Sequence, residues 1–120
     1  MKKASIEVFA SEARTATPDP EVISTQGAAA LYVIVEVTAL AATPSVTFAF
    51  NLYDPVTETA VNLLTYAAVT TVSSNIYKIS PALTAAANLV AAEHVPQNVQ
   101  VVPTHGDADS ITYQVSAQLL

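Results

Sequence analysis

Three stretches of this chain alternate apolar and polar residues with a period of two, which suits a half-buried strand and scatters the same residues around a helix. Val46, Phe48, Phe50 and Leu52 interleave with Thr47, Ala49 and Asn51. Ile111, Tyr113, Val115, Ala117 and Leu119 interleave with Ser110, Thr112, Gln114, Ser116 and Gln118. Leu31, Val33, Val35 and Val37 interleave with Tyr32, Ile34, Glu36 and Thr38, and their β-branched density further disfavours a helix. The expected core therefore contains Val33, Val35, Val46, Phe48, Phe50, Ile111, Tyr113 and Val115.

Weaker alternation predicts a short N-terminal strand over Ser5–Phe9 and further strands over Val61–Thr70, Asn75–Ile79 and Asn98–Val102. Ala42-Thr43-Pro44-Ser45 and Asp54-Pro55-Val56-Thr57-Glu58-Thr59 have turn chemistry, because proline presets the backbone angle and Asp bonds to amides just ahead of it. Residues 31–38 and 46–52 are expected to pair antiparallel. A tight connection over 103–109 is expected to close a C-terminal hairpin. Thr15, Ala16, Thr17, Pro18, Asp19, Pro20 and Glu21 read as a loop or extended arm, since two prolines remove donors and push their neighbours towards extended backbone. The one helix candidate runs from Ser80-Pro81 through the alanine-rich stretch to Glu93, with Ser as cap, Pro at the first position and Pro96 as terminator. About six or seven strands with closely spaced turns predict an all-β fold, an antiparallel β-sandwich of jelly-roll or immunoglobulin-like type with at most one short helix. Residues 1–120 read as a single domain, with 1–21 as N-terminal strand and extended arm.

Charge excludes some partners. Four Lys and Arg stand against ten Asp and Glu, a net charge of −6 that repels nucleic acid and anionic membrane. The apolar run from Ala28 to Ala42 is too short to span a bilayer and is broken by Glu36. Met1-Lys2-Lys3 opens like a secretory leader, but Glu7, Glu12 and Arg14 interrupt what should be its apolar segment. The absence of cysteine rules out disulfides and thiolate chemistry and fits folding in a reducing cytoplasm.

Candidate chemistry is sparse. His105, Asp107 and Asp109, with His94 upstream, have the spacing of an imidazole and two carboxylates around a cation, but a calcium loop brings more oxygen ligands. The alternative is a turn in which Gly106 supplies positive φ and the two aspartates bond to loop amides. No serine sits in a G-x-S-x-G elbow, and Gly27 and Gly106 alone cannot make a phosphate-binding loop. Glu36 shares its strand face with Tyr32 and Thr38 and reads as solvated. Neither an enzyme, nor a metal, nor a cofactor is expected. Five Tyr, three Phe and no Trp count against a sugar-stacking platform. Strand faces made of Thr, Ser, Asn, Gln and Ala suit burial against other protein subunits.

Five segments, Ala13-Arg14-Thr15-Ala16-Thr17, Ala42-Thr43-Pro44-Ser45-Val46-Thr47-Phe48, Asp54-Pro55-Val56-Thr57, Leu83-Thr84-Ala85-Ala86-Ala87-Asn88 and the run from His105 to Tyr113, resemble in that order a family of small virion-associated proteins of tailed bacteriophages and prophages. The resemblance implies a capsid decoration or cement protein, made in the host cytoplasm and placed on the capsid surface, with the major capsid protein as partner. Together with the low-charge strand faces it implies a homo-oligomer, expected as a trimer. Residues Thr15–Glu21 are the expected contact with the capsid or a neighbouring subunit, because an extended segment with free backbone groups can add to another sheet's edge. A head-fibre or tail-associated adhesin or carbohydrate-binding module is the alternative.

Overall fold

The alternating stretches form the long strands of a computed structural model that describes residues 4–120. Met1, Lys2 and Lys3, the leader-like start of the chain, lie outside the described residues. In chain order the strands are β1 (Ala4–Arg14), β2 (Glu21–Ser24), β3 (Leu31–Leu40), β4 (Val46–Asp54), β5 (Thr59–Thr65), β6 (Ser73–Ile79), β7 (Val90–Ala91), β8 (Asn98–His105) and β9 (Ile111–Leu119). They make two sheets, one ordered β1-β9-β3-β6-β7 and the other β2-β8-β4-β5.

The pairing is nested. β1 pairs with β9, β2 with β8, β3 with β6 and β4 with β5, all antiparallel, as though one long hairpin closed at residues 55–58 had been rolled into two layers. Second pairings, β3 with β9 and β4 with β8, stitch the roll into sheets. This order distinguishes the two expected sandwiches. In an immunoglobulin sandwich the last strand joins the sheet of the strand before it, whereas β9 lies in the opposite sheet from β8 and between β1 and β3. The chain is a jelly roll with a two-residue β7 added at one edge.

The core follows the alternation. All eight residues expected in it are buried, joined by Leu31, Val37, Tyr77, Ile79, Val99, Val101, Ala117 and Leu119 from the inward faces of both sheets. Two aromatic pairs lock the layers together. Phe48 meets the Tyr113 ring edge-on with centroids 5.4 Å apart, and Phe50 lies 5.1 Å from Tyr77. Glu36 points outward and is exposed, opposite Ser74 and Gln114.

Several expectations are corrected. β3 and β4 do not pair with each other, and β8 and β9 form no hairpin: in both cases the connection crosses between sheets. Alternation specifies which face of a strand is buried, and both arrangements bury it. No helix is found among the described residues. Ser80 does cap, its Oγ accepting from the Ala82 amide at 3.2 Å, but the turn is not propagated. Instead Ala86 and Val90 exchange backbone hydrogen bonds, Asn88 takes φ 62°, and Val90–Ala91 adds in parallel to β6. The side chains from Thr84 to Leu89 are exposed, so a helix here would have had almost no apolar stripe to bury, and a single short helix is marginal on propensity alone.

The N-terminal strand runs to Arg14 rather than Phe9, and β2 was not foreseen. β5 stops at Thr65 instead of Thr70. β8 continues through Pro103 to His105. Pro103 is tolerated because β2 ends opposite Val101, so the flank on which its N–H would lie has no strand to receive one.

Phe48 is completely buried, and Phe48→Ala is expected to cost about 3–5 kcal/mol through lost transfer and cavity terms, read as a fall in Tm; a wild-type Tm would remove the ring from the core. Tyr77 gives the opposite test. Its hydroxyl is enclosed with no hydrogen-bond partner of acceptable geometry, and burial, with Tyr66 adding to it, pushes its pKa far above the usual phenol value. Tyr77→Phe is therefore expected to leave Tm unchanged or raise it, by up to about 1–3 kcal/mol of stability, and a clear loss would show that the hydroxyl has a partner.

Candidate functional site

The segments connecting β1 to β2, β3 to β4 and β8 to β9 all cross between sheets at the same end of the sandwich. Their residues are bonded to one another. The Gly106 amide donates to the Ser45 carbonyl at 2.8 Å, and the Ala41 amide donates to the Ser110 carbonyl at 2.9 Å. One Asp109 oxygen accepts from the Thr43 amide at 3.1 Å and from the Thr43 hydroxyl at 3.4 Å. The Asp109 amide in turn donates to Asp107 Oδ1 at 3.1 Å. Thr17 Oγ1, in the first crossover, accepts from the His105 amide at 2.9 Å. The segments at 13–17, 42–48 and 105–113 thus lie side by side.

Beneath these loops sits Arg14, which belongs to no motif that would single it out. Two one-residue bulges interrupt the pairing of β1 with β9, between Glu7 and Phe9 and between Phe9 and Glu12, and they free backbone carbonyls from the ladder. The largely buried Arg14 guanidinium takes up that slack, donating to the carbonyls of Ala10 at 2.6 Å, Tyr113 at 2.8 Å and Glu12 at 3.3 Å. It also lies 4.5 Å from the centre of the Tyr113 ring, a cation–π contact. Its ion pair with Glu12, at 3.6 Å, is exposed on the carboxylate side and adds little.

Tyr113 joins this cluster to the loops through its hydroxyl, 3.1 Å from His105 Nε2. Burial raises the Tyr113 pKa to about 12 against the opposing pull of Arg14, so the phenol keeps its proton. Burial, and then the Arg14 charge, lower the His105 pKa below its ordinary value of 6.5, with Asp107 acting partly against them.

The H-x-D-x-D run is accordingly spent on the loops. His105 faces Tyr113, Asp107 caps Asp109, and Asp109 holds Thr43. Among the described residues, no three His, Asp or Glu side chains are placed to hold a metal ion. His94 is exposed on the β7–β8 connection, at the far end of the sandwich. Gly106 does not supply positive φ as expected; the glycine in the left-handed region is Gly27, at φ 75°.

Of the expected contact residues, Thr15, Ala16, Thr17, Asp19, Pro20 and Glu21 are exposed and Pro18 is half-buried. They form the β1–β2 crossover and the start of β2, while residues 4–14 are a full edge strand whose Val8 and Phe9 enter the core. Glu12, Asp19, Glu21, Asp107 and Asp109 lie in or beside the crossover segments, where Arg14 is the only Lys or Arg among the described residues, so the loop end is acidic.

A second feature escaped the sequence because it depends on register. On the outer face of the β2-β8-β4-β5 sheet, Asn51 Nδ2 donates to Gln100 Oε1, and Asn62 Nδ2 donates to both Asn51 Oδ1 and Thr65 Oγ1, at 2.9–3.1 Å. This polar row spans three strands. Each residue is visible as a polar position of an alternating strand, but only the pairing of β4 with β5 and β8 aligns them. Comparison with known proteins finds no matching protein family, no matching curated relative and no matching solved structure.

The His105 environment predicts a pH dependence. Folding lowers this pKa, so below pH 6.5 the unfolded chain binds a proton that the folded chain resists, and stability falls with pH in that window. Asp54, whose pKa is lowered by bonds from the Val56 amide and Thr57, loses its contribution only at lower pH, below its ordinary 3.8. His105→Gln retains a hydrogen-bonding partner for Tyr113 without the titration. Its Tm should fall less than wild type between about pH 7 and pH 5; parallel Tm curves would show that His105 does not set the slope.

Proposed function

We propose that this chain is a structural protein of a tailed-bacteriophage virion: a cement protein that decorates the capsid surface by non-covalent binding to the major capsid protein and to other copies of itself. The observation that carries this reading is the separation of charge over a rigid two-layer slab. Five of the ten carboxylates, Glu12, Asp19, Glu21, Asp107 and Asp109, lie in or beside the crossover loops, whereas the outer face of the β2-β8-β4-β5 sheet is built mainly of Thr, Ser, Asn, Gln and Ala. An acidic, internally bonded loop end suits docking onto a positively charged patch of shell. The neutral face suits burial against protein, at about 25 cal/mol per Å² of apolar surface removed from water. The resemblance of the 13–17, 42–48 and 105–113 segments to phage virion proteins supports the same reading, since these segments meet at that end.

Thr15–Glu21 is the proposed capsid contact. Truncation cannot test it, because β1 and the crossover are part of the folded slab and their removal would take Val8 and Phe9 out of the core and leave β9 without its neighbour. Substitution can. The row of amides on the β2-β8-β4-β5 sheet favours one rival, a carbohydrate-binding module of a head fibre or tail adhesin, because such groups are the ones that read sugar hydroxyls.

The decisive measurement is binding of the pure protein to expanded, undecorated cognate capsids, with particle imaging to locate it. Wild type is expected to saturate the shell and to bind more weakly as salt rises from about 0.05 to 0.5 M. Ala16→Arg with Asp19→Arg should weaken binding at least about tenfold at unchanged Tm, because two cations enter an interface selected for an acidic surface. Undiminished binding by that variant would remove the crossover from the contact, and density on the tail alone would transfer the protein to the adhesin reading.

A further inference from the structure

The outer face of the β2-β8-β4-β5 sheet is free of charge. By register its outward positions are the partners of Thr47, Ala49, Asn51 and Tyr53 on β4 and the alternate residues of β8, β5 and β2, and no Asp, Glu, Lys or Arg is among them. In a chain of net charge −6 a whole sheet face without charge stands out. The opposite outer face carries Glu7, Glu36 and Lys78.

We propose that this neutral face is where a second copy of the chain packs, the two faces meeting about a two-fold axis. This rests on the self-association in the proposed function and not on capsid binding. Charge selects the occupant. A partner bringing carboxylates or ammonium groups onto the face would bury them with nothing to pair with, which costs several kcal/mol per charge. Two copies of this chain repel each other through their acidic ends, and the repulsion is least when contact is made through surfaces with no charge. The same face on another copy is such a surface, free of charge across its whole width. A three-fold ring would require it to meet a different surface of its neighbour, and the opposite sheet face presents Glu7, Glu36 and Lys78.

The chemistry of the face is self-complementary. Asn51, Asn62 and Gln100 each carry both donors and acceptors, so the same row can face itself. Their mutual hydrogen bonds already fix these side chains, which reduces the ordering cost of association. The face is of the right order of size. Strands of four, eight, nine and seven residues at about 4.8 Å spacing present roughly 450 Å² per copy, so that a pair buries about 900 Å², near the lower bound for a specific interface and fitting a weak dimer. Edge-to-edge pairing is a poorer route to a dimer: β1 carries two bulges, Glu7 and Glu12, β2 is short and preceded by Pro18 and Pro20, β7 has two residues, and β5 is bulged at Leu63.

Sedimentation and native mass measurement of the full chain, without capsid and up to roughly 100 µM, should show a dimer. Asn62→Asp with Gln100→Glu should raise its dissociation constant at least about 100-fold, because like charges then face each other across the two-fold. Ser116→Glu, on the other sheet's outer face, should not. Single-cysteine reporters in this cysteine-free chain cover the case in which the charged variants unfold: Ala49→Cys should form an intermolecular disulfide and Gln114→Cys should not. A monomeric wild type overturns both this proposal and self-association. An oligomer, trimer included, whose mass survives the charged substitutions or which is cross-linked through Gln114→Cys overturns the face and leaves self-association standing. Glycan binding that requires Asn62 and Gln100 in a monomeric chain assigns the face to sugar instead.

Discussion

The perpendicular contact between the Phe48 and Tyr113 rings is the one through which the rest of the molecule is connected. Phe48 belongs to one sheet and Tyr113 to the other, so this pair, with Phe50 and Tyr77, sets how the layers sit on each other. Tyr113 has further duties. Its ring supports Arg14, its carbonyl accepts from Arg14, and its hydroxyl meets His105 at the base of the crossover loops. The loop end is therefore positioned by the core, and the bulged edge strand β1 is pinned to β9 through the same residue.

Alternation along the strands made the buried faces legible, and the eight core residues read from it are all inside. It could not reveal partners. Residues 31–38 and 46–52 satisfy a hairpin and a cross-sheet connection equally well in one dimension, because both bury the same side chains. What decides is the competition of all strands for neighbours, which gives β3 to β6 and β9, and β4 to β5 and β8. The alanine run misled for a related reason. Propensity favours a helix there, but Ala side chains offer little area to bury, and the free edge of β6 offers backbone hydrogen bonds instead.

The candidate site was legible in part. Two prolines marked Thr15–Glu21 as extended, and it is a crossover; its bonding to His105 through Thr17 required the third dimension. The His105, Asp107 and Asp109 cluster was visible as a polar run, and its hydrogen bonds explain why these types recur in such a loop: a short crossover exposes amides, and carboxylates on alternate residues can cap them. Arg14 carried no signal, because its role depends on two bulges that no local pattern announces.

The jelly roll also separates two kinds of surface at right angles. Crossover loops gather at the end of the slab, where backbone amides need acceptors and carboxylates supply them, so charge accumulates there. Sheet faces have their backbone groups satisfied by neighbouring strands, so their side chains are free to be neutral. A molecule with one acidic end and one uncharged face can bind a basic surface with the first while pairing with its own kind through the second, since neither contact obstructs the other. Joining two such units makes attachment of the second end effectively intramolecular once the first is bound, so a weak contact per loop end is converted into tight retention without any new residue. Under the proposed function, then, neither the contact of the loop end nor the pairing of the faces has to be strong by itself.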